Sequence, residues 1–223
     1  MGWFCEPPRM TNVSVIKTRR SFLPRWLVPW ATFFKGFLKH PAMVGSIIPS
    51  SQSLIDHMLS RTDWSQTGVF VEYGPGVGAF AATILDHLPP DATYIAIDTN
   101  ADFITYLAAT ITDTRFRPIH GSAVDVEQIV RDSGFDGADY ILSGLPFSTL
   151  PPGVGPAIAA GTARILRPDG AFLVYQFRAK ARQFMEPHFV RIDQAVEYWN
   201  IPPCHLFWAW KAADAAINAA TAG

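Results

Sequence analysis

The stretch VFVEYGPGVGAFAATIL, residues Val69–Leu85, decides the fold of this 223-residue chain. An apolar run containing β-branched residues leads into an acidic residue, then into three glycines, and then into a pattern with helical spacing. In open α/β sheets, ligands bind where a strand ends and the chain turns into the next helix. The sequence therefore predicts a small-molecule site at the turn that contains Gly74, Gly76 and Gly78.

Strand and helix patterns alternate along the chain after this turn. Strand-like runs are GVFVEY, ATYIAID, RFRPIHG, ADYILSG and GAFLVYQF, and helices are predicted to His87, over Ala101–Thr110, near Val124–Asp132 and over Gly155–Leu166. FVRIDQAVEYW and CHLFWAW follow, separated by NIPP with no helix between them, which indicates an antiparallel pair. We predict an α/β, Rossmann-like, seven-stranded sheet that is mostly parallel with an antiparallel C-terminal strand.

Length and composition favour one folded domain. The chain is 49% hydrophobic and 17% charged, which excludes wholesale disorder. Cys5 and Cys204 show neither metal-ligand spacing nor a disulfide framework, so no metal and a reducing compartment are expected. No signal peptide and no run of membrane-spanning length is recognised. We assign residues 45–210 to the domain and residues 211–223 to an Ala-rich tail.

Residues 1–44 form a basic and aromatic arm. Residues 1–40 hold seven Lys and Arg against one acidic residue, whereas the rest holds 11 basic and 18 acidic residues. A helix is predicted over Arg25–Lys39 with its aromatic residues on one face and its basic residues on the other: Trp26, Trp30, Phe33, Phe34 and Phe37 against Arg25, Lys35 and Lys39. Such a helix suits a polyanionic partner, either a membrane surface or nucleic acid. Ser50 or Ser51 is predicted to cap the helix that follows.

Two acidic residues indicate which ligand the glycine turn holds. The G-x-G-x-G spacing departs from the G-x-G-x-x-G of dinucleotide sites, and Glu72 beside the turn would repel a pyrophosphate. The same carboxylate suits a ligand that carries an ammonium group. Asp98 ends the next strand, where it can accept the hydroxyls of a ribose. An ammonium and a ribose on one ligand fit S-adenosylmethionine better than NAD.

With these motifs the chain resembles class I S-adenosylmethionine-dependent methyltransferases from about Gly45 to Trp210. The resemblance implies that the turn from Glu72 to Gly78 holds the methionine end of the cofactor and Asp98 its ribose. It places the adenine at the loop Gly121, Ser122, Ala123 and Val124, although many relatives have Asp where this chain has Ser122. Ser50 and Ser51 could reach the cofactor carboxylate. SGLPF, residues Ser143–Phe147, would line the transferred methyl group.

Two families with a Leu-Pro-aromatic motif suggest different methyl acceptors. Ribosomal RNA adenine dimethylases have Asn where this chain has Gly144, so the side chain that holds a base amine is missing. FFKGFLKHPAMVGSIIPSS, SGLPFSTLPP and NIPP together resemble bacterial phospholipid N-methyltransferases. That resemblance implies methylation of phosphatidylethanolamine by a peripheral protein on the cytoplasmic membrane face, without an obligate protein partner. The alternatives are an RNA adenine N6-methyltransferase and a non-catalytic lipid- or cofactor-binding protein.

Methyl transfer to an amine demands little of side chains, because the sulfonium is already a strong electrophile. The candidates for a catalytic role are Tyr73, Ser143, Phe147 and Tyr175, whose rings could face a cationic centre or whose hydroxyls could relay a proton. A lipid phosphate would need a cation near the site, and Arg178, Lys180 and Arg182 follow the fifth strand. These roles are hypotheses that the fold must place.

Overall fold

The computed structural model describes residues 51–212, and within them a single seven-stranded sheet runs through the molecule in the order β3-β2-β1-β4-β5-β7-β6. The strands are β1 (Val69–Tyr73), β2 (Thr93–Asp98), β3 (Phe116–His120), β4 (Ala138–Ser143), β5 (Leu166–Gln176), β6 (Arg191–Glu197) and β7 (Cys204–Trp210). The first five are parallel, and β7 runs antiparallel to both of its neighbours. The predicted fold class is confirmed.

Helices connect the parallel strands as the alternating pattern predicts. They are α1 (Gln52–Leu59), α2 (Ala81–His87), α3 (Ala101–Thr110), α4 (Val126–Asp132), α5 (Val154–Ile165) and α6 (Arg182–Met185). Ser51 caps α1, because its side chain accepts the Leu54 N–H at 3.2 Å. The amphipathic helix predicted over Arg25–Lys39, the rest of the arm and the tail from residue 213 lie outside the described residues.

Three elements differ from the sequence prediction. Strand β6, Arg191–Glu197, is two residues shorter at each end than the predicted run FVRIDQAVEYW. Strand β5 begins at Leu166, four residues before the predicted run, and its register against β4 is interrupted near Asp169, whose φ is 61°. The positive φ at this position interrupts the pairing of β5 with β4, and the pairing continues after it. A hydrophobicity pattern cannot show such an interruption. The short helix Arg182–Met185 was also not predicted, because four residues are too few for a helical period to be visible.

The strand ends define one edge of the sheet, which we call the carboxyl edge. Strands β1 to β5 end there, at Tyr73, Asp98, His120, Ser143 and Gln176. Because β7 is antiparallel to β5 and pairs His205 with Gln176, its first residues lie at this edge as well. Strand β6 ends there too, since Glu197 pairs with Cys204. The loops after β1, β2, β4 and β5 and the loop joining β6 to β7 therefore share one side of the molecule.

Helix α1 closes the sheet over β7. Trp208 is fully buried and donates its indole N–H to the Met58 carbonyl at 2.9 Å, and His57 Nδ1 lies 2.9 Å from a carboxylate oxygen of Glu197. These contacts join the first described helix to the last two strands. Within residues 51–212 no helix is both long and apolar enough to cross a bilayer.

Candidate active site

The glycine turn after β1 packs closely against β2 and α3. Gly74, Gly76 and Gly78 all have positive φ, at 67°, 57° and 79°, and the Gly74 N–H donates to the Ile97 carbonyl at 2.9 Å. A Cβ on Gly78 would stand 2.7 Å from a methyl carbon of Leu107 in α3, which is closer than real Cβ contacts come. Both its φ and this contact require glycine at position 78. The chain after β1 thus presents bare backbone at the carboxyl edge.

Glu72 is a buried carboxyl directly before this turn. Its Oε2 accepts a short hydrogen bond from the Tyr94 hydroxyl, which comes from the neighbouring strand. Burial raises the pKa of Glu72 to about 7; the Tyr94 hydrogen bond lowers it and the Asp98 carboxylate adds to the increase. The carboxyl therefore gains a stable negative charge when a cation arrives beside it.

Asp98 lies against the glycine turn from the next strand. Its two carboxylate oxygens accept the Asn100 N–H at 2.8 Å and the Gly76 N–H at 3.3 Å. Partial burial raises its pKa, and these backbone hydrogen bonds, with nearby His120, act in the opposite direction. The two carboxyl groups predicted to bind the ligand thus flank the same glycine turn, as the strand-end positions predicted.

The loop after β3 borders the same site. The Gly121 N–H donates to the Asp98 carbonyl at 3.0 Å, so the loop is fixed to the end of β2. Ser122 caps the following 3-10 turn by accepting the Val124 N–H at 3.3 Å, and Ala123 is buried. The predicted adenine-binding residues therefore form an ordered ledge beside Asp98.

The loop after β4 is built around a contact between Gly144 and Tyr175. A Cβ on Gly144 would stand 2.7 Å from Cζ of Tyr175 and closer still to its hydroxyl oxygen. The Tyr175 ring lies 5.0 Å, between centroids, from that of Phe80, which follows the glycine turn. Tyr175 thus occupies the space that a side chain at position 144 would need, between the glycine turn and the loop after β4.

Further hydrogen bonds fix this loop. Ser143 is buried, and its hydroxyl accepts the Leu145 N–H at 3.2 Å. The Gly144 N–H donates to the Tyr73 carbonyl at 3.2 Å, and the Gln176 amide donates to the Leu145 carbonyl at 2.9 Å. The loop is therefore tied to β1 and to β5 before any ligand binds, which is the preorganisation that catalytic positioning requires.

Tyr73 and Phe147 lie in the hydrophobic core. The Tyr73 hydroxyl is 3.0 Å from that of Thr162 in α5, and Phe147 stacks on Phe184 with centroids 6.0 Å apart. Both rings belong to the cluster on the face of the sheet opposite to the one that buries Phe80 and Tyr94. The structure gives both side chains packing partners rather than a place beside the two carboxyl groups.

The basic residues after β5 separate into two kinds. Arg178 and Lys180 are exposed at the carboxyl edge. Arg182 pairs with Glu186 at 2.9 Å, one helical turn further on. Ser50 and the arm residues predicted to contact lipid, from Arg25 to Lys39, lie outside the described residues.

Tyr94 is a site residue that the sequence prediction missed. It stands in the apolar run of β2, opposite Phe70 in β1, and its ring and Glu72 meet on the same face of the sheet. A tyrosine inside a fully buried parallel strand needs a partner for its hydroxyl. An acidic residue in the adjacent strand was the signal that could have indicated this pair.

These residues fit S-adenosylmethionine. The buried carboxyl of Glu72 can charge against the ammonium of an amino acid, Asp98 can accept ribose hydroxyls, and the bare glycine backbone between them allows close approach. A dinucleotide would bring its pyrophosphate against the two carboxylates instead. No group of three or more metal-ligating side chains occurs in the part of the chain that the structure describes.

Comparison with known proteins finds methyltransferases. Ornithine lipid N-methyltransferase of Singulisphaera acidiphila is 26% identical over 178 residues, which covers 79% of this chain and 93% of that protein. The precorrin-6y C5,15-methyltransferase of Geobacter metallireducens superimposes with a TM-score of 0.55 at 16% identity, over 73% of this chain and 90% of that one. The chain has the fold of class I S-adenosylmethionine-dependent methyltransferases and is related to a lipid N-methyltransferase.

S-adenosylmethionine is accordingly the cofactor that both the fold and the donor set fit. A 16S rRNA N2 G1207 methyltransferase of T. thermophilus, solved with AdoMet and guanosine, also superimposes, with a TM-score of 0.56 at 18% identity over 75% of this chain and 44% of that one. The fold is therefore shared by enzymes named for precorrin-6y and for 16S rRNA, and the fold alone does not assign the acceptor. No protein-family model matches the chain.

Proposed function

We propose that the protein transfers methyl groups from S-adenosylmethionine to the primary amine of a membrane lipid, with phosphatidylethanolamine as the acceptor. One observation carries the acceptor class: the relative that matches 79% of this chain, and 93% of its own length, is named for N-methylation of a lipid. That match also favours ornithine lipid as a second candidate acceptor. Both lipids present a primary amine on a headgroup that also carries a negative charge.

The site geometry supports an amine rather than a nucleobase. A side-chain amide at position 144 could hold the exocyclic amine of a base, but Gly144 offers only backbone groups there. The Tyr175 ring fills the space such an amide would occupy. An aromatic ring presents its face to a cationic ammonium, and its hydroxyl can accept one hydrogen bond from an amine. Tyr175 is therefore the residue we assign to orienting the acceptor.

The chain's own residues have distinct roles in this proposal. Glu72 would hold the ammonium of the cofactor, Asp98 its ribose hydroxyls, and the ledge formed by Gly121, Ser122 and Ala123 its adenine. When bound, S-adenosylmethionine supplies an electrophilic methyl group on a sulfonium. An alkyl amine of pKa about 10 arrives mostly as the ammonium at neutral pH, so it must release a proton to bulk water before transfer, and a site that excludes water favours the neutral amine that results. The buried surroundings of Ser143 and Phe80 provide such an apolar wall.

Arg178 and Lys180 are suited to the anionic part of the headgroup. Both are exposed at the carboxyl edge, directly after the strand that carries Tyr175. A cation beside a phosphate or carboxylate would fix the headgroup so that its amine points inward. The protein would act from the surface of the cytoplasmic membrane, with the arm of residues 1–44 contributing attachment to the bilayer.

The experiment offers the full chain methyl-labelled S-adenosylmethionine with vesicles that contain either phosphatidylethanolamine or ornithine lipid, and in parallel with total RNA. Label in the phosphatidylethanolamine fraction supports the proposal, and chromatography of the labelled headgroups counts the methyl groups. Label confined to ornithine lipid would keep lipid N-methylation as the reaction and make ornithine lipid the acceptor in place of phosphatidylethanolamine. Label in RNA, or label nowhere while the cofactor still binds, refutes lipid methylation.

A further inference from the structure

Three large apolar side chains project into solvent from residues 198–203, which join β6 to β7 and which we call the aromatic loop. Tyr198, Trp199 and Ile201 are 73%, 83% and 86% exposed. Single exposed apolar residues are ordinary on a protein surface. Three of them within four consecutive residues form a patch, and such patches mark interaction sites.

The aromatic loop is held in shape by hydrogen bonds. Asn200, between the exposed residues, is buried; its side-chain Oδ1 accepts the Ser51 backbone N–H at 3.1 Å, and its side-chain Nδ2 donates to the Pro202 carbonyl at 3.0 Å. The backbone N–H of Trp199 donates to the Glu197 carboxylate at 2.9 Å. The loop therefore turns one side chain inward and holds its apolar neighbours outward in a fixed arrangement.

The loop lies on the same side of the molecule as the candidate active site. Strand β6 ends and β7 begins at the carboxyl edge, where the glycine turn and Tyr175 also lie. Arg178 and Lys180, both exposed, follow β5 at this edge. One side of the molecule thus combines exposed aromatic residues, exposed cations and the residues of the candidate active site.

Chain continuity connects this patch with the N-terminal arm. Ser51, whose N–H is bound by Asn200, is the first described residue and directly follows residues 1–50. The chain that carries the segment predicted to be basic and aromatic, Arg25–Lys39, is therefore continuous with the described domain at Ser51, which contacts the aromatic loop.

We propose that the aromatic loop inserts into the interface of an anionic lipid bilayer and turns the carboxyl edge toward the membrane. Tryptophan and tyrosine favour the headgroup region of a bilayer, and exposed Lys and Arg favour an anionic leaflet. A second copy of the chain fits less well, because a symmetric dimer through this side would bring two sets of exposed cations, Arg178 and Lys180, into one interface. The inference rests on the proposed function in that a lipid acceptor gives this edge a reason to face a bilayer.

The test measures binding of the full chain to vesicles of phosphatidylethanolamine and phosphatidylglycerol, without cofactor. Substituting Trp199→Ala together with Ile201→Ala is expected to weaken co-sedimentation by at least about tenfold, because both apolar side chains leave the interface. Val190→Ala is the matched control. Val190 is 71% exposed, but it directly precedes β6 at the opposite edge, where its backbone N–H donates to the Trp210 carbonyl, so truncating its side chain should leave binding unchanged.

A second readout locates the loop directly. Brominated acyl chains should quench the tryptophan fluorescence of the wild type more than that of Trp199→Phe, which keeps an apolar ring but removes the indole. Equal thermal midpoints for the variants exclude unfolding as the cause. Vesicle binding that the double substitution leaves unchanged overturns the proposal, as does a double variant that loses only self-association.

The two proposals fail in different ways. Vesicle binding that depends on the loop, in a protein that labels no lipid, keeps the membrane contact and refutes the methyl acceptor. Labelled phosphatidylethanolamine, in a protein whose vesicle binding does not depend on the loop, keeps the methyl acceptor and refutes the membrane contact of the loop.

Discussion

Replacing Gly144 by alanine tests whether the contact with Tyr175 shapes the active site. The new Cβ would stand 2.7 Å from Cζ of Tyr175 and closer still to its hydroxyl oxygen, whereas ordinary contacts begin at 3.4 Å, so the ring must move by at least about 0.7 Å. Phe80 packs on that ring with centroids 5.0 Å apart, which limits where it can go. Overpacking of this kind costs about 1–3 kcal/mol, partly offset by about 0.4–1 kcal/mol because alanine restricts the unfolded chain.

The expected result for Gly144→Ala is a lower free energy of unfolding in denaturant titration and a thermal midpoint reduced by a few degrees. If Tyr175 orients the acceptor, turnover should also fall by roughly 10- to 100-fold, because a shift approaching 1 Å at a reacting centre is costly. Gly68→Ala is the control: the atoms nearest to its added Cβ are 3.5 and 3.6 Å away, so it should be close to neutral.

A double-mutant cycle decides between this contact and a general effect of alanine. In a Tyr175→Ala background the added methyl group has room, so Gly144→Ala should cost less there by about 0.5–3 kcal/mol. An equal cost of Gly144→Ala in both backgrounds would refute the reasoning, since the penalty would then not arise from the tyrosine ring.

Further outcomes follow from the site and the arm. Because burial raises the pKa of Glu72 to about 7 from 4.5, the ligand-free protein should lose about 3 kcal/mol of stability as pH rises from 4.5 through 7, and Glu72→Gln should remove that slope in unfolding titrations. Cofactor affinity, measured by calorimetry, should change in the opposite direction and rise with pH through the same range, because the ammonium needs the ionised carboxylate. Tyr94→Phe removes the donor to Glu72, so it should destabilise the protein by about 1–3 kcal/mol and move the midpoint of that affinity profile to higher pH; an unmoved midpoint would contradict the pairing. Asp98→Ala should abolish measurable cofactor binding while the circular dichroism of the fold persists, and undiminished affinity would remove Asp98 from the site. Deletion of residues 1–39 should greatly reduce co-sedimentation with anionic vesicles, which full retention would contradict.

The sheet and the cofactor side of the site could be predicted because each follows from a local pattern. Buried strands read as apolar runs, and Glu72 and Asp98 stand at the ends of two such runs, so parallel pairing had to bring them to one edge. The bounds of α3, Ala101–Thr110, were predicted to the residue, since Asn100 caps it and its apolar residues repeat with helical spacing.

The rest depended on contacts between residues far apart in sequence. From the sequence, Gly144 showed only that the Asn side chain of the adenine dimethylases is missing. The fold shows that Tyr175, 31 residues later, fills the space of that side chain. Tyr94 reaches Glu72 because two strands lie side by side, which no local period encodes. NIPP was predicted to connect two antiparallel strands and to be a family-like motif, but the exposure of Trp199 and Ile201 could not be predicted, because it depends on what buries Asn200.

The position of β7 has a consequence for the order in which the molecule is made. Strand β6 precedes β7 in the chain, yet β7 lies between β6 and β5, so β6 has no edge to join until β7 has been inserted. Newly synthesised chain can therefore complete the glycine turn and its strands well before the aromatic loop takes its shape. The cofactor site and the aromatic loop can therefore form at different times, and a ribosome-bound intermediate that ends before Cys204 should bind cofactor before it can bind vesicles through that loop.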